Sequence, residues 1–382
     1  MKTNKIFITG IGSISSLGYE NDEVYNNLKN NQNNIRVKSD WGNEKIKPTL
    51  FGAVKDIVFQ DEIKWKERLL PNKYSQLGIL ACKNAIEDAN LNLKEQDNGV
   101  GLIIETCLAA TESVEDYLND LYQKGVARVR PLKFTKTVAN TVLGDISRHF
   151  KLNGQSSLLY NENSISYGFD LIQRGVADIV ICGGVDHFTE FRILSEQENN
   201  LLLDTSQVKS LSNKLKSAQF PEKNLLGEGS AFIVLESEKS VKKRQAKIYA
   251  EILDYHSNFD FENVDYSYKR QPYILSNACN RFKKHIDSDK KITFMSAYTT
   301  QVQSDLSEAL AINELNKDNP VNVINHKAYT GDMKAASNIM GLCISSQLLK
   351  KDKEYSSNYA FISNSHEGGT SSHFLLKQNS NY

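Results

Sequence analysis

NGQSSLLYNENSISYGFDLIQRGVADIVICGG, residues 153–184, is the stretch that decides the fold. It predicts a strand (157–160), a sharp turn (161–164), a helix (about 165–174) and a second strand (177–182). Such a turn can hold a nucleophile at a helix N-terminus, where unpaired N–H groups and the helix dipole favour an anion. A cysteine there would be suited to acyl transfer. The turn contains none, and the nearest cysteines are Cys107 and Cys182.

The composition excludes several classes of protein. The 382 residues suffice for a large core and for two similar halves. Lys+Arg and Asp+Glu both number 46, so the net charge gives no reason to expect nucleic acid or an anionic membrane as a partner. No apolar run is long enough for membrane insertion, and the start MKTNKIFITG is too short for a secretory signal. Five scattered cysteines without a CxxC pair indicate a reduced, cytoplasmic protein.

Apolar runs and amphipathic segments alternate along the chain. The segment at 74–91 has small residues at helical spacing, which suits close packing, and GVGLIIE at 99–105 is typical of a strand buried on both faces. The alternation predicts a layered α/β fold in which a β–α–β–α–β–β order occurs roughly twice, with domains at 1–240 and 241–382. Further strands are expected at 5–10, 291–297, 321–325, 359–365 and 372–377, and further helices at 111–124, about 262–287 and 305–316.

Six segments, in order, carry a family resemblance. They are FITGIGSISSLG from Phe7, YSQLGILACKNAIEDANL from Tyr74, RPLKFTKTVANTVLGDIS from Arg130, LIQRGVADIVICGGVD from Leu171, LLGEGSAFIVLE with KRQAKIYAEI from Leu225 and Lys243, and ISNSHEGGTSSHFLL from Ile362. Through them the chain resembles the β-ketoacyl-acyl carrier protein synthases of the thiolase-like superfamily. The resemblance implies a thiolase-like fold, with two αβαβα halves in a five-layer sandwich.

The resemblance also implies a catalytic set of one cysteine, two histidines and a nearby lysine. The cysteine carries the acyl chain, and the imidazoles assist decarboxylation and stabilise the enolate. At the nucleophile, counting forward from Gly154 leads near Asn163, whereas counting back from Gly175 leads near Leu158. The chain is therefore about five residues short here, and neither count reaches a thiol.

Both histidine positions depart from the family pattern. The first motif, His-Gly-Thr, reads Tyr298-Thr299-Thr300, with Asp305 and Glu308 matching its acidic pair. The second, Lys-Ser-x-x-Gly-His, begins at Lys327, which is retained, and ends at Asp332 in place of histidine. The loss of all three catalytic groups predicts a protein without catalytic residues of its own.

Inactive relatives of this kind are chain-length factors of type II polyketide and aryl polyene systems. The resemblance implies a heterodimer with an active ketosynthase paralogue, whose acyl tunnel the inactive subunit helps to shape, and an acyl carrier protein with phosphopantetheine as a further partner. The tunnel-facing segments are then 106–117 and 134–141. The candidate tunnel or interface residues are Cys107, Leu108, Thr111 and Phe134, for which ordinary core packing is the competing interpretation.

Two alternatives stay open. One is a residual enzyme, either a malonyl-carrier protein decarboxylase that uses the Asn163 amide to stabilise an oxyanion, or a divergent 3-oxoacyl-carrier protein synthase. The other is a scaffold that stabilises its partner without an effect on chain length.

The remaining polar candidates have modest interpretations. Glu162 has no evident partner as a general base. His326, at a strand end, is expected to be hydrogen-bonded. His366 and His373 have no third ligand nearby in the sequence, so no metal site is expected, and no cofactor is predicted. The basic cluster of Lys124, Arg128 and Arg130 could contact the carrier protein or simply be solvated.

Overall fold

The structure, a computed structural model, describes residues 4–379 except 33, 56–58, 60–62, 64–70, 97–98, 203–223, 261–272, 298–301, 352–356 and 367. Tyr298, the residue at the first histidine position, therefore lies outside the described residues.

The described chain forms thirteen strands and twelve α-helices. The strands are β1 (Ile6–Ile14), β2 (Arg36–Lys38), β3 (Thr49–Gly52), β4 (Gly101–Thr106), β5 (Ser156–Tyr160), β6 (Ile179–Asp186), β7 (Leu226–Gly227), β8 (Gly229–Ser237), β9 (Ala250–Phe259), β10 (Ile292–Met295), β11 (Val321–Ile324), β12 (Tyr359–Ser365) and β13 (Thr370–Gln378). The helices are α1 (Asn21–Lys29), α2 (Lys73–Asp88), α3 (Thr111–Lys124), α4 (Pro131–Phe134), α5 (Thr141–Phe150), α6 (Ser164–Gln173), α7 (Glu190–Glu198), α8 (Glu238–Arg244), α9 (Tyr273–Lys283), α10 (Val302–Leu315), α11 (Lys327–Thr330) and α12 (Ala335–Lys351).

The main sheet repeats one topology twice. Its strand order is β11-β10-β12-β13-β9-β1-β8-β6-β4-β5, and β2, β3 and β7 form a separate small sheet. Each half contributes five strands to this sheet. When they are numbered in chain order within their half, they lie from the outer edge to the centre as third, second, fourth, fifth and first. The second, third and fourth strands are parallel, and the fifth and first are antiparallel to their neighbours. The halves join where β1 pairs with β9, Ile6 opposite Ile252.

Helices separate and cover the two halves. Helices α6 and α12 lie in the middle layer, because Phe169 and Met340 share one buried cluster with strand residues of both halves, including Ile233 and Ile362. Helices α2 and α5 cover the outer face of the first half. Helices α9 and α10 cover that of the second. The resulting α–β–α–β–α order is the five-layer architecture that the family resemblance implies.

Close packing of α2 on β1 explains the glycines near the N-terminus. A Cβ at Gly10 would come within 2.5 Å of the Ala85 carbonyl oxygen, and one at Gly12 within 2.4 Å of the Ala81 carbonyl oxygen. The glycines thus allow a helix backbone to approach a strand backbone. The expectation that the strand ends at Gly10 is wrong, since β1 continues through both glycines to Ile14.

Other bounds shift by a few residues. Strand β6 begins two residues later than predicted and continues four residues further, to Asp186. Of the helix expected at about 262–287, the structure describes Tyr273–Lys283. Among the described residues, no helix is both long enough and apolar enough to span a membrane.

Candidate functional site

The turn between β5 and α6 is built around two asparagines. Asn161 has a left-handed backbone with φ +53°, a conformation that asparagine tolerates better than most residues. Asn163 is the N-cap of α6, and its Oδ1 accepts the N–H groups of Ile165 and Ser166 at 2.9 and 3.0 Å. The predicted nucleophile position therefore holds a buried capping amide.

A carboxyl group from the neighbouring strand occupies the remaining N–H of this helix start. Glu105, fully buried at the end of β4, accepts the Ser164 N–H at 2.5 Å with one oxygen and the Asn338 amide at 3.2 Å with the other. Burial raises the pKa of Glu105 to about 8. The backbone N–H groups of Ser164, Ile165 and Ser166 are thus all taken by internal acceptors, although a helix N-terminus otherwise favours an anion.

Sequence reasoning missed Glu105, because the residue ends an apolar run and was grouped with the strand. The available signal was a lone acidic residue in a strand predicted to be buried on both faces. Such a carboxyl group must find hydrogen-bond donors, and the adjacent helix N-terminus supplies them.

The second histidine position holds an ion pair. Asp332 is buried, with the Nζ of Lys327 at 3.0 Å and the Nζ of Lys334 at 3.8 Å. Burial opposes the charge, but the two lysines hold the pKa of Asp332 well below its ordinary value. The retained Lys327 therefore neutralises Asp332, and no imidazole is present at the second histidine position.

The other candidate histidines lie in the core. His326 contacts the Ser337 carbonyl oxygen through Nε2 at 3.0 Å, and burial lowers the pKa of the ring to about 3. His366 lies beside the Asn338 amide at 3.2 Å, and His373 is fully buried in β13. Within the described ranges, no group of three or more His, Cys, Asp or Glu side chains could hold a metal ion.

At the first histidine position only the surroundings can be described. Glu308, the second member of the matching acidic pair, is buried on α10. It accepts the Ala297 N–H at 2.8 Å and the Ser296 hydroxyl. It therefore anchors the end of β10 next to the undescribed residues 298–301.

A cavity of about 310 Å³ opens beside the α6 turn. Cys107, Leu108 and Thr111, three of the four predicted tunnel residues, line it. Phe134 does not line it. Its side chain is 57% exposed, and its ring lies 5.6 Å from that of Tyr117 on α3. The remaining lining residues, which the sequence did not single out, are Tyr160, Asn161, His187, Thr189, Phe191, Arg192 and Gly368.

A buried carboxylate holds the segment that carries the predicted tunnel residues. Asp186, at the end of β6, accepts the Thr106 hydroxyl and the Leu108 N–H at 2.8 Å each and the Cys107 N–H at 3.1 Å. It also accepts the Ala335 N–H at 2.9 Å, which joins this segment to the start of α12. Burial outweighs these hydrogen bonds and raises the pKa of Asp186 to about 6. The cavity wall is thereby fixed to both halves.

His187 is held in the cavity wall by charged partners. Its Nδ1 lies 2.6 Å from Glu228, which also accepts the Lys73 ammonium at 2.8 Å. Its Nε2 lies 3.7 Å from the Glu112 carboxylate. Burial opposes the charge, but the carboxylates of Glu112 and Glu228 outweigh it and raise the pKa of His187. Burial likewise opposes the charge of Glu228, yet His187 and Lys73 lower its pKa to about 2.

The predicted basic cluster lies at the surface after α3. Arg128 and Arg130 are described there, and Arg128 is exposed. Lys124 forms an ion pair with Asp120 at 2.6 Å, and Lys133 pairs with the same carboxylate at 2.7 Å. The ammonium groups of Lys124 and Lys133 thus both pair with the carboxylate of Asp120.

Comparisons with known proteins agree with this architecture. The profile of the family described as "Beta-ketoacyl synthase, N-terminal domain" matches residues 3–240. The 3-oxoacyl-[acyl-carrier-protein] synthase 2 of Staphylococcus aureus (strain COL) is 26% identical over 272 residues, which cover 69% of this chain and 65% of the relative. The protein of the same description from Synechocystis sp. is 24% identical over 279 residues, 69% of this chain and 65% of its own. The chain thus spans somewhat less than two thirds of the length of these relatives.

Solved structures match over nearly the whole chain. The ishigamide ketosynthase/chain length factor has a TM-score of 0.82 at 17% identity and covers 99% of this chain and 100% of its own. A type II polyketide acyl-carrier protein in complex with its ketosynthase bound to the hexaketide gives 0.80 at 19% identity, with 99% and 100% covered. A Burkholderia phymatum β-ketoacyl synthase gives 0.82 at 16%, with 98% and 100% covered. At these identities, the matches establish the shared fold.

Proposed function

The chain belongs to the β-ketoacyl synthase family, and from this premise we propose that it is a non-catalytic ketosynthase-like subunit, a chain-length factor. In this proposal it pairs with an active ketosynthase paralogue and shapes the acyl tunnel of that enzyme. The pathway class is polyketide, aryl polyene or fatty-acid-type biosynthesis.

The observation that carries the proposal is the occupied N-terminus of α6. Asn163 takes two backbone N–H groups, Glu105 takes a third, and the turn contains no thiol. A thiolate or an oxyanion placed there would have to displace these internal acceptors and leave buried groups unpaired, at a cost of about 1–3 kcal/mol for each group. The arrangement therefore supports a structural role for this turn rather than covalent catalysis.

Exposed apolar side chains support a partner subunit. Large hydrophobic residues of the α3–α4 region are exposed, among them Tyr122 and Val126 at 83% and Phe134 at 57%. Tyr160 and Phe191, which line the cavity, are 58% and 65% exposed. Exposed apolar surface is typical of interaction sites when it forms a patch. The proposed paralogue would cover it and bring its own tunnel to the cavity.

The edge of the sheet supports the same location. Strand β5 ends the strand order, and in the described part of the chain β4 is its one neighbour in the sheet. An edge strand with unpaired backbone groups can receive a strand from another chain. We therefore place the proposed ketosynthase partner at this edge.

An acyl carrier protein is the proposed second partner. One structural neighbour is a type II polyketide acyl-carrier protein in complex with its ketosynthase. For this chain, the basic residues Lys124, Arg128 and Arg130 are the proposed contact for the carrier's acidic helix or phosphopantetheine phosphate. Their position after α3 is close in sequence to the exposed apolar residues.

Co-expression tests the pairing. We expect this chain, produced together with an active ketosynthase paralogue, to purify as a one-to-one heterodimer by native mass measurement. The physical reason is the burial of the exposed apolar residues of α3, α4 and β5. Replacement of Val126 by Asp should weaken the complex, whereas the Lys239→Asp variant, on α8, serves as a surface control. A stable homodimer that does not bind the ketosynthase would contradict the proposal.

One observation favours the residual-enzyme alternative. The Nδ2 of Asn163 is buried and has no hydrogen-bond partner among the described residues. An amide donor of this kind could stabilise the enolate formed when malonyl-carrier protein loses carbon dioxide. In that case the protein would be a decarboxylase with Asn163 as a substrate-contacting donor. Carbon dioxide release distinguishes the two functions.

A further inference from the structure

A second cavity, of about 610 Å³, opens at the far end of the main sheet from the cavity beside the α6 turn. Strand β8 runs between the two. Gly229, where β8 begins, pairs with Asp186 beside the first cavity. Ser237, where β8 ends, directly precedes Glu238, which lines the second. A strand of nine residues is about 25–30 Å long. Within the described residues the two cavities have no lining residue in common, so the second, which we call the junction groove, is a separate site.

The junction groove lies on the outer face of the sheet, where the two halves join. Phe7 on β1 lies opposite Glu251 on β9, and Glu251 lies opposite Lys377 on β13. Residues adjacent to these three in the chain belong to the buried cluster of the middle layer, namely Ile6, Ile252 and Leu376. Because side chains alternate between the two faces of a strand, the three groove residues point outward. Helix α8 packs on β1 and β8, and the groove lies beside it over β9 and β13.

The floor of the junction groove is apolar. Phe7, Val241 and Ile248 are buried and form a small cluster of their own with Ala246. Leu253, which is half-buried, adds an apolar side chain from β9. The volume of about 610 Å³ lies within the range of about 300–1,000 Å³ that is usual for small-molecule sites. The floor and the size therefore suit the apolar body of an organic molecule rather than a single ion.

Two ion pairs form part of the rim. Lys242 pairs with Glu238 at 2.8 Å along α8, and the Nζ of Lys5 lies 3.8 Å from the Glu251 carboxylate on β9. Within each pair the charges balance. These two pairs therefore favour neither an anionic nor a cationic ligand.

A third lysine of the rim leaves one positive charge in excess. The Nζ of Lys377 lies 5.6 Å from the centre of the Tyr359 ring, and within the described residues it has no ion-pair partner. Its place on β13 is fixed, because Lys377 lies opposite Glu251 on one side and Tyr359 on the other. With three lysines against two glutamates, the rim has a net charge of +1.

An amphipathic monoanion is the class of ligand that matches both the floor and the rim. Its apolar body would cover the floor and leave water. Its single negative charge would balance the ammonium group of Lys377, from which a carboxylate accepts hydrogen bonds. A second negative charge would come close to Glu238 and Glu251 and be repelled, which disfavours a phosphate monoester.

We propose that the junction groove binds a small organic monocarboxylate with an apolar body, and that Lys377 is the residue that recognises the carboxylate. The ligand would contact β1 and α8 on one side and β9 and β13 on the other, and so bridge the two halves at their joint. Because such a ligand binds only the folded state, it should also raise the temperature of thermal unfolding. The inference goes beyond the proposed function and does not depend on it, since it concerns a separate site.

Two matched aromatic probes test the proposal. 4-Benzoylbenzoate is an amphipathic monoanion, and 4-benzoylbenzamide has nearly the same shape without the charge. Calorimetry measures the binding of each probe to the purified chain. Illumination then cross-links the bound benzophenone, and peptide mass spectrometry locates it. We expect the carboxylate to bind about fivefold more tightly than the amide, as for a partly exposed ion pair, and to cross-link within residues 5–7, 238–253 and 377–379.

Variants separate recognition of the charge from packing. Lys377→Met keeps an unbranched side chain without the ammonium group, so it should lose the preference for the carboxylate and keep the affinity for the amide. Lys239→Met is the matched control and should keep the full preference, because Lys239 lies on α8 outside the groove and pairs with Asp178.

Four results would overturn the proposal. Wild type could bind both probes equally, or bind neither. Lys377→Met could keep the preference for the carboxylate. The cross-links could map to the cavity beside the α6 turn instead of the junction groove. Finally, binding could require the removal of residues 380–382, in which case the end of the chain, rather than a separate molecule, would be the occupant.

Discussion

A ketosynthase pair that contains the Thr111→Trp variant is expected to make shorter products, by one or more two-carbon units, than the wild-type pair. Thr111 is the first residue of α3, and it lines the 310 Å³ cavity together with Cys107 and Leu108. An indole at this position fills space that the chain tip would otherwise occupy. A packed interior does not yield this space without strain.

The product distribution, measured by mass spectrometry of the reconstituted pair, checks this prediction. Thr111→Val removes the hydroxyl at nearly constant volume and should leave product length unchanged. Because an added ring in a packed wall costs about 1–3 kcal/mol, native mass measurement of each variant complex establishes that the pair still forms. Leu108→Phe is a second, smaller insertion into the same wall. Unchanged product lengths in both enlarged variants would support the passive-scaffold alternative instead.

The Glu105→Gln variant is expected to lose the part of the pH dependence of stability between about pH 5 and 8 that Glu105 contributes. Burial raises the pKa of Glu105 to about 8 in the folded protein, whereas an unfolded chain has a glutamate pKa of about 4.3. Between these values the folded state binds more protons than the unfolded state. The contribution of Glu105 to the stability of wild type should therefore be greatest below about pH 4.3 and should fall as the pH rises toward 8.

Urea unfolding of both proteins from pH 5 to 8 measures the effect. The glutamine keeps one oxygen that can accept the Ser164 N–H and cannot ionise, but its NH2 group loses the hydrogen bond from the Asn338 amide. The midpoint of the variant relative to that of wild type should therefore rise as the pH rises. Glu162→Gln is the matched control, because Glu162 lies exposed in the same turn. Parallel curves for wild type and Glu105→Gln would contradict the assignment of a buried carboxyl group to this helix start.

Much of the fold follows from local patterns. The buried runs of β4 and β6 and the small residues of α2 predict their elements well because apolar periodicity and helix packing act over short distances. The equivalence of the two halves was only suggested, since it depends on which strands pair. That pairing involves residues far apart in the chain, such as Ile6 and Ile252.

The site was predictable where a motif marks it. The positions of Asn163, Lys327 and Asp332 came from comparison with a family pattern, and Cys107, Leu108 and Thr111 from the same source. Glu105 and His187 were missed because neither belongs to a motif. Their importance arises from partners on other elements, Asn338 for one and Glu228 for the other, that only the folded chain brings near.

Carbon dioxide release from malonyl-carrier protein by the purified chain is the measurement that tests the central claim most directly. The account predicts no release above buffer and no 3-oxoacyl product, because the α6 turn has no thiol and its first three N–H groups are occupied. An active 3-oxoacyl-carrier protein synthase serves as the positive control. Release above buffer that the Asn163→Ala variant abolishes would contradict the account and identify the protein as a decarboxylase.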